Sequence, residues 1–152
     1  MTSEPDGEIL ALNVVEVINK RVHGLHMVMH GSSSVPQELQ DIINANGGEM
    51  PQTWGTPVDE IVEGIKHGVR KVNIDTDCCM AISGQVRKIL LEKKAEFDPR
   101  KFTIPATAAM QEVCEERYES FGTAGNASKL KPLPLTKMAQ LYDSGELDQK
   151  IN

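Results

Sequence analysis

The sequence predicts an α/β fold built around two parallel strands, each of which ends in residues suited to chemistry. The run from Leu25 to Met29 is short, apolar and bounded by glycines, as buried parallel strands are. A second run, from Val69 to Ile74, has polar and apolar side chains in alternation. Helical patterns lie between the two runs and indicate a strand–helix–strand unit. In such folds the catalytic and ligand-binding residues lie at the C-terminal ends of the strands.

Two strands are too few for a parallel sheet of this kind, because such sheets bury both faces and unpaired edges are unfavourable. The chain has 152 residues, whereas a complete (β/α)8 barrel needs about 250. We therefore expect the C-terminal part of a TIM (β/α)8 barrel, namely its last two strands and the C-terminal helices. Residues 1–152 would form this barrel portion, with a loose N-terminus at 1–8 and a C-terminal tail with a short helix at 126–152.

Apolar residues at helical spacing predict the helices around the two strands. Pro36 near the first position and Gly47 after the end bound the helix that follows the first strand. Thr56 and Asp59 predict a near capping box for the next helix, and Asp77 is a candidate cap for the helix after the second strand. Further helices are expected over residues 9–20, around 82–90, from about 105 to 121, and around 136–142.

The composition excludes several classes of protein. Lys+Arg 16 against Asp+Glu 22 gives a net charge of -6, which argues against a nucleic-acid partner because nucleic-acid surfaces are basic. No apolar stretch approaches the roughly 20 residues that span a bilayer, and the acidic start does not resemble a signal peptide. Three cysteines in no disulfide or zinc-finger spacing suit a reducing compartment. We expect a cytoplasmic protein without a membrane partner.

His30 is the first candidate for a functional residue, because it ends the first strand and precedes Gly31. A histidine in this position can be a metal ligand or a catalytic base, or it can be structural and hydrogen-bonded through one ring nitrogen. His26 lies on the same strand face, but at about 3.3 Å per residue it is about 13 Å away, too far to share one metal ion. We interpret His26 as interior packing.

The turn after His30, Gly31-Ser32-Ser33-Ser34, leads into a helix N-terminus, where backbone N–H groups and hydroxyls suit a phosphate group. Serine as an ordinary helix cap is the simpler explanation. We call the residues that directly follow a strand its exit. At the exit of the second strand, Asn73, Asp75 and Thr76 could orient a polyol, or could simply lead into the next helix. Arg100 could bind a phosphate through two N–H groups or pair with a surface carboxylate.

Three strings of this sequence, HMVMHGSSSVPQELQDIINANGG, MPQTWG and GIKHGVRKVNIDTD, resemble the C-terminal portion of class II, zinc-dependent fructose-1,6-bisphosphate aldolases. The resemblance runs from about Gly7 to the end of the chain. It implies reversible aldol cleavage of fructose 1,6-bisphosphate to dihydroxyacetone phosphate and glyceraldehyde 3-phosphate in glycolysis. It also implies a zinc ion, a possible monovalent cation, and a homo-oligomer that is a dimer or a larger assembly.

The resemblance also assigns roles to residues of the first strand exit. His30 corresponds to a zinc ligand of the family. Gly31 and Ser33 correspond to the turn that binds the ketose phosphate group and the monovalent cation. The sugar bisphosphate would thus lie against this turn.

At the second strand exit, Asn73, Asp75 and Thr76 match the family residues that hold the dihydroxyacetone part and its phosphate. Arg100 matches an arginine that reaches the other phosphate from a neighbouring subunit. Cys79 occupies a position where the family commonly has a phosphate-binding arginine, and a thiol cannot supply that fixed positive charge.

The family's remaining zinc ligands and its acid/base aspartate come from upstream strands, which have no counterpart in this sequence. The chain therefore contains no candidate for the catalytic aspartate, and we expect negligible activity from it in isolation. The alternative is a non-catalytic, truncated module that binds sugar phosphate or docks on full-length subunits.

Overall fold

The computed structural model describes residues 4–147, which belong to two compact units divided between Gly122 and Thr123. The first unit contains a pair of strands and the helices around them, and the second contains a 3-10 turn and one helix. The predicted α/β composition is therefore present in the first unit. In chain order the elements are α1 (Leu12–Arg21), β1 (Met27–Met29), α2 (Gln37–Ala45), α3 (Val58–Lys66), β2 (Val69–Val72), α4 (Thr76–Glu92), α5 (Pro99–Ser120), the 3-10 turn (Ala127–Lys129) and α6 (Leu135–Asp143).

The two strands pair in parallel, as the sequence predicts. Met27 lies opposite Val69 and Met29 lies opposite Val72, with an irregularity in register after Met27. Both strands are shorter than predicted. The backbone N–H of Asn73 still donates to the carbonyl of Met29 at 3.1 Å, but the chain then turns into α4, so the second run leaves the sheet before Ile74.

The two faces of this sheet are in different environments. On one face, Met29 and Val69 pack with the fully buried Ile61 of α3 in a hydrophobic core. On the other face, Val28 is 48% exposed and His26 is also exposed. The interpretation of His26 as interior packing is therefore wrong for the described chain. This second face is the one that would line the interior of a barrel.

Two helix starts differ from the sequence prediction. Pro36 and Pro57 both occupy the N-cap positions of their helices, and neither α2 nor α3 has a side-chain cap hydrogen bond. The predicted capping box at Thr56 is therefore wrong. Thr56 is buried and its N–H donates to the carbonyl of Ser33 at 3.0 Å, which holds the segment before α3 against the exit of β1.

Helix α5 begins six residues before the predicted start at Pro105. Asp98 caps it, because its carboxylate accepts a hydrogen bond from the backbone N–H of Arg100. Pro105 consequently lies inside the helix, where it lacks an N–H donor. The strong cap and Pro99 at the first helical position favour the earlier start.

The ends of the chain are described in part. Residues 4–8 of the predicted loose N-terminus contain no helix or strand. Helix α6 covers the predicted helix at 136–142. Residues 1–3 and 148–152, which include parts of both predicted end segments, lie outside the described residues. None of the helices described between residues 4 and 147 combines the length and the apolar character that a bilayer span requires.

Candidate functional site

The strand exits bring His30 and Asn73 into direct contact. Because Met29 and Val72 are partners in the sheet, the next residue of each strand reaches the same point. The side-chain Nδ2 of Asn73 lies 2.9 Å from Nδ1 of His30. The ammonium group of Lys71 donates to the other end of the Asn73 amide, its Oδ1 atom. The Asn73 NH2 group is the donor and Nδ1 the acceptor, so this contact orients the exposed imidazole.

The turn after His30 meets the N-terminus of α4. Gly31 has a φ of 66°, a left-handed conformation that glycine adopts without strain. The Ser33 hydroxyl oxygen accepts hydrogen bonds from the backbone N–H groups of Asp75 at 3.3 Å and Thr76 at 3.1 Å. The N–H groups at a helix N-terminus favour anions. This arrangement can bind a phosphate oxygen beside or in place of the serine hydroxyl.

The side chain of Asp75 is exposed and lies at the N-cap position of α4 without forming a cap hydrogen bond. Its Oδ1 accepts a contact from the Cys79 thiol at 3.6 Å. The pKa of Cys79 is raised, mainly because the thiol loses hydration. The negative charge of Asp75 and its hydrogen bond with the thiol raise this pKa further. The thiol therefore stays protonated at neutral pH and is unsuited to nucleophilic chemistry.

The structure places Arg100 in a different setting. Its guanidinium group pairs with Asp98 through Nε at 2.9 Å and Nη2 at 2.7 Å. The hydrogen bond from Arg100 lowers the pKa of Asp98. Within residues 4–147, none of its hydrogen bonds goes to a residue of the strand exits. The two strand exits therefore come together, and Arg100 remains separate from them.

A buried acid that sequence reasoning misassigned holds this turn in place. Asp77 was a candidate helix cap, but α4 begins at Thr76 and Asp77 is 0% exposed. Its carboxylate accepts hydrogen bonds from the N–H groups of Ser34 at 3.1 Å and Val35 at 2.8 Å. It also accepts one from the Ser34 hydroxyl at 2.9 Å. The interpretation of Asp77 as a cap is wrong, because its carboxylate accepts hydrogen bonds from the turn after β1 and not from the N-terminus of α4.

The cationic partner of Asp77 comes from α5. Arg117 is 6% exposed, and its Nη2 lies 2.6 Å from the Ser34 hydroxyl oxygen and 3.4 Å from Asp77 Oδ2. Sequence reasoning did not identify this residue. A signal was present, because Arg117 lies four residues from both Val113 and Phe121, within the apolar stripe of its helix. An arginine at such a position requires a buried anion.

Val35 has a φ of 51° and is the sole non-glycine residue with a positive φ in the described part of the chain. For a β-branched residue this conformation costs roughly 1–3 kcal/mol. Val35 is nevertheless buried, where it packs with Ile43 and Met80. The hydrogen bond from its N–H to Asp77 and this packing together maintain the strained turn.

Gly55 allows the segment before α3 to approach the turn closely. A Cβ atom at this position would lie 2.2 Å from the carbonyl oxygen of Ser33 and 2.5 Å from the carbonyl carbon of Ser34. We expect Gly55→Ala to lower the free energy of unfolding by about 1–3 kcal/mol, since both obstacles are backbone atoms. Urea denaturation followed by circular dichroism measures this loss.

The matched control is Gly64→Ala in α3. A Cβ atom there would meet only side-chain atoms, the nearest at 3.3 Å from Leu10. We expect a change within about 0.5 kcal/mol, partly because alanine favours helices. Equal losses in the two variants would show that the close approach at Gly55 is unimportant.

A catalytic zinc ion usually takes three protein ligands. Within residues 4–147, no three histidine, cysteine, aspartate or glutamate side chains are grouped so that they could hold a metal ion. His30 offers one exposed imidazole. The described residues therefore do not fit a zinc site by themselves, and a complete site would need further donors.

A cavity of about 630 Å³ adjoins the turn after β1 but does not reach His30. It is lined by Ser34, Val35, Glu38, Trp54, Glu116 and Arg117, among others. Several carboxylates in its wall oppose the binding of a phosphate. We therefore locate the candidate site at the strand exits, where N–H donors converge, and not in this cavity.

Comparisons with known proteins identify the family of this chain. The fructose-bisphosphate aldolase class-II family profile matches residues 2–126. Fructose-bisphosphate aldolase 2 of Cereibacter sphaeroides is 62% identical over 147 residues, which cover 97% of this chain and 42% of that protein. The fructose-bisphosphate aldolases of Stutzerimonas stutzeri and Pseudomonas aeruginosa are 56% and 54% identical, with 99% of this chain and 43% of theirs covered. The chain thus spans less than half the length of these relatives, and it belongs to the class-II fructose-bisphosphate aldolase family.

Proposed function

We propose that this chain supplies the phosphate-binding part of a fructose-bisphosphate aldolase active site. The reaction is the reversible aldol cleavage of fructose 1,6-bisphosphate to dihydroxyacetone phosphate and glyceraldehyde 3-phosphate in glycolysis. The activity belongs to a protein or assembly that contains further strands of the barrel. In this role, the chain binds and orients the dihydroxyacetone phosphate half of the substrate.

The observation that carries this proposal is the convergence of the two strand exits. The His30 imidazole and the Asn73 amide are 2.9 Å apart, so both can face one substrate. On the neighbouring turn, the Ser33 hydroxyl lies on two N–H groups of the α4 N-terminus. A phosphate held at these donors would fix the substrate so that its carbonyl end lies toward His30.

In this proposal Asn73, Asp75 and Thr76 hold the dihydroxyacetone part and its phosphate. Gly31 and Ser33 hold the same phosphate and a monovalent cation. These groups would contribute positioning, which lowers the barrier by restricting the motion of the bound substrate.

His30 is also proposed to be one ligand of the family's zinc ion, with the other donors coming from outside residues 4–147. Its exposed side chain at the end of β1 supports this role. When bound, the zinc ion would supply Lewis acidity.

Arg100 supports a proposed homo-oligomer, a dimer or a larger assembly. Its side chain is 81% exposed, so a neighbouring subunit can reach it. Asp98 holds the guanidinium group in one orientation through hydrogen bonds to two of its nitrogens. We propose that it contributes to binding the second phosphate of a neighbouring subunit's substrate. A cytoplasmic location is part of the proposal, supported by the three free cysteines.

A second candidate function is a non-catalytic module that binds sugar phosphate or docks on full-length subunits. The exposed sheet face at Val28 supports docking on full-length subunits, because both faces of a parallel sheet are normally covered. Both candidate functions use the phosphate site. They differ in whether further residues can complete a catalytic site around it.

A chimaera separates the two functions. The matched segment of the Cereibacter sphaeroides aldolase is replaced by this chain, and aldol cleavage is measured with added zinc. We expect the chimaera to retain turnover within about tenfold of the parent and the isolated chain to show negligible turnover. A folded but inactive chimaera would favour the non-catalytic module. Turnover by the isolated chain comparable to that of the parent would contradict the proposed partial site.

A further inference from the structure

We propose that Arg117 is a positioning residue for the phosphate site, acting through Asp77 on the turn from Ser33 to Val35. Arg117 does not touch the ligand in this account. It holds the turn in the conformation that places the Ser33 hydroxyl at the N-terminus of α4. The inference rests on the proposed function for the identity of the ligand, whereas its conformational part can be tested without any ligand.

The turn requires an external restraint because Val35 adopts a left-handed backbone conformation, with a φ of 51°. A β-branched residue left to itself would relax out of this region. Its N–H donates to Asp77 Oδ1 at 2.8 Å, and the N–H of Ser34 donates to Asp77 Oδ2 at 3.1 Å. Two consecutive amides of the turn are thus fixed by one carboxylate.

That carboxylate is fully buried, where breaking an ion pair on one side is strongly unfavourable. Arg117 supplies the cation from α5 and donates directly to the Ser34 hydroxyl at 2.6 Å. Its third contact within the described residues is with Glu116, through Nη1 at 2.8 Å. The guanidinium group therefore fixes Asp77 and the Ser34 side chain simultaneously, which a single ammonium group cannot do as well.

The effect reaches the ligand-binding atoms through one peptide unit. Ser33 immediately precedes Ser34, and its hydroxyl oxygen lies 3.3 Å from the N of Asp75 and 3.1 Å from the N of Thr76. The turn is therefore tied to α4 in both directions, by the Ser33 hydroxyl on the helix amides and by Asp77 on the turn amides. Loss of Arg117 should first weaken the hydrogen bonds between Asp77 and the turn amides, and Ser33 should move as a consequence.

The test uses amide hydrogen exchange in the full 152-residue chain. In Arg117→Met, protection of the Ser34 and Val35 amides should fall by about tenfold or more relative to the core amide of Ile61, the loss expected for a charge-assisted hydrogen bond. In Arg117→Lys, which keeps the charge but not the forked geometry, the relative loss should be about threefold.

Substitutions of Val35 test whether Arg117 acts by holding the backbone of Val35 in its left-handed conformation. Val35→Gly permits the left-handed conformation without strain. When Arg117→Met or Arg117→Lys is added to Val35→Gly, the protection of the amides at positions 34 and 35, relative to that of Ile61, should therefore fall by less than about twofold. Val35→Ala is the matched control, because it removes the same packing methyl groups and keeps the Cβ atom. In that background, the full effect of the Arg117 substitution should remain. If Arg117→Met does not fold, the Lys variant in the three backgrounds decides the question.

Titration with dihydroxyacetone phosphate adds a functional measurement. Arg117→Met should weaken its affinity by about fivefold or more, and Val35→Gly should restore most of the loss. Exchange that rises equally at Ser34, Val35 and Ile61 would overturn the inference, since a merely structural role predicts that result. The expected exchange pattern without any ligand binding by the wild-type chain would uphold the positioning and reject the proposed function.

Discussion

Asp77→Asn is expected to lower the free energy of unfolding by about 3 kcal/mol or more, the typical cost of breaking a buried ion pair on one side. The substitution conserves shape, but it leaves the guanidinium group of Arg117 buried without its charged partner. It also turns one acceptor oxygen into an amide donor, which would face the N–H of either Ser34 or Val35. Urea denaturation monitored by circular dichroism measures the loss.

Glu116→Gln is the control for this prediction. Glu116 contacts the same guanidinium group at 2.8 Å, but its side chain is 67% exposed. Exposed ion pairs contribute less than about 1 kcal/mol, so this variant should unfold close to the wild type. Similar losses in the two variants would show that burial of Asp77 does not determine the strength of the interaction.

His30→Ala in the active chimaera is expected to lower the turnover of aldol cleavage by at least about a hundredfold, since loss of a contact that only orients a metal ligand already costs about 10–100-fold. The described chain offers no second imidazole at the strand exits. The same variant should bind less zinc per chain, which atomic absorption measures independently of activity. Circular dichroism should be unchanged, because the side chain is exposed.

His26→Ala provides the matched control on the same strand face. His26 is also an exposed imidazole, but it precedes β1 and lies four residues from the exit. We expect its turnover and zinc content to stay within about twofold of the parent chimaera. Turnover that survives His30→Ala, or falls equally in both variants, would remove His30 from the active site.

The strand exits could be predicted from the sequence because their signals are local. Apolar runs followed by glycine, serine or asparagine show where a parallel strand ends, and parallel pairing then places the exits together. The contact between His30 and Asn73 follows from this reasoning. Family membership and the parallel pairing of β1 with β2 confirm the predicted fold class.

The buried network could not be predicted in the same way, because its members are distant in sequence. Asp77 looks like an ordinary helix cap until the turn carrying Ser34 folds against it. Arg117 is 40 residues from Asp77, and its role depends on how α5 packs. The exposure of His26 was also missed, since it depends on the number of strands beside β1 and not on the local pattern.

The most direct test of the proposed site is a titration of the isotope-labelled chain with dihydroxyacetone phosphate, followed by the backbone amide resonances. We expect the amides of Gly31, Ser33, Asp75 and Thr76 to shift together and to report a single dissociation constant. Absence of binding, or shifts confined to the cavity beside Trp54, would contradict a sugar phosphate site at the two strand exits.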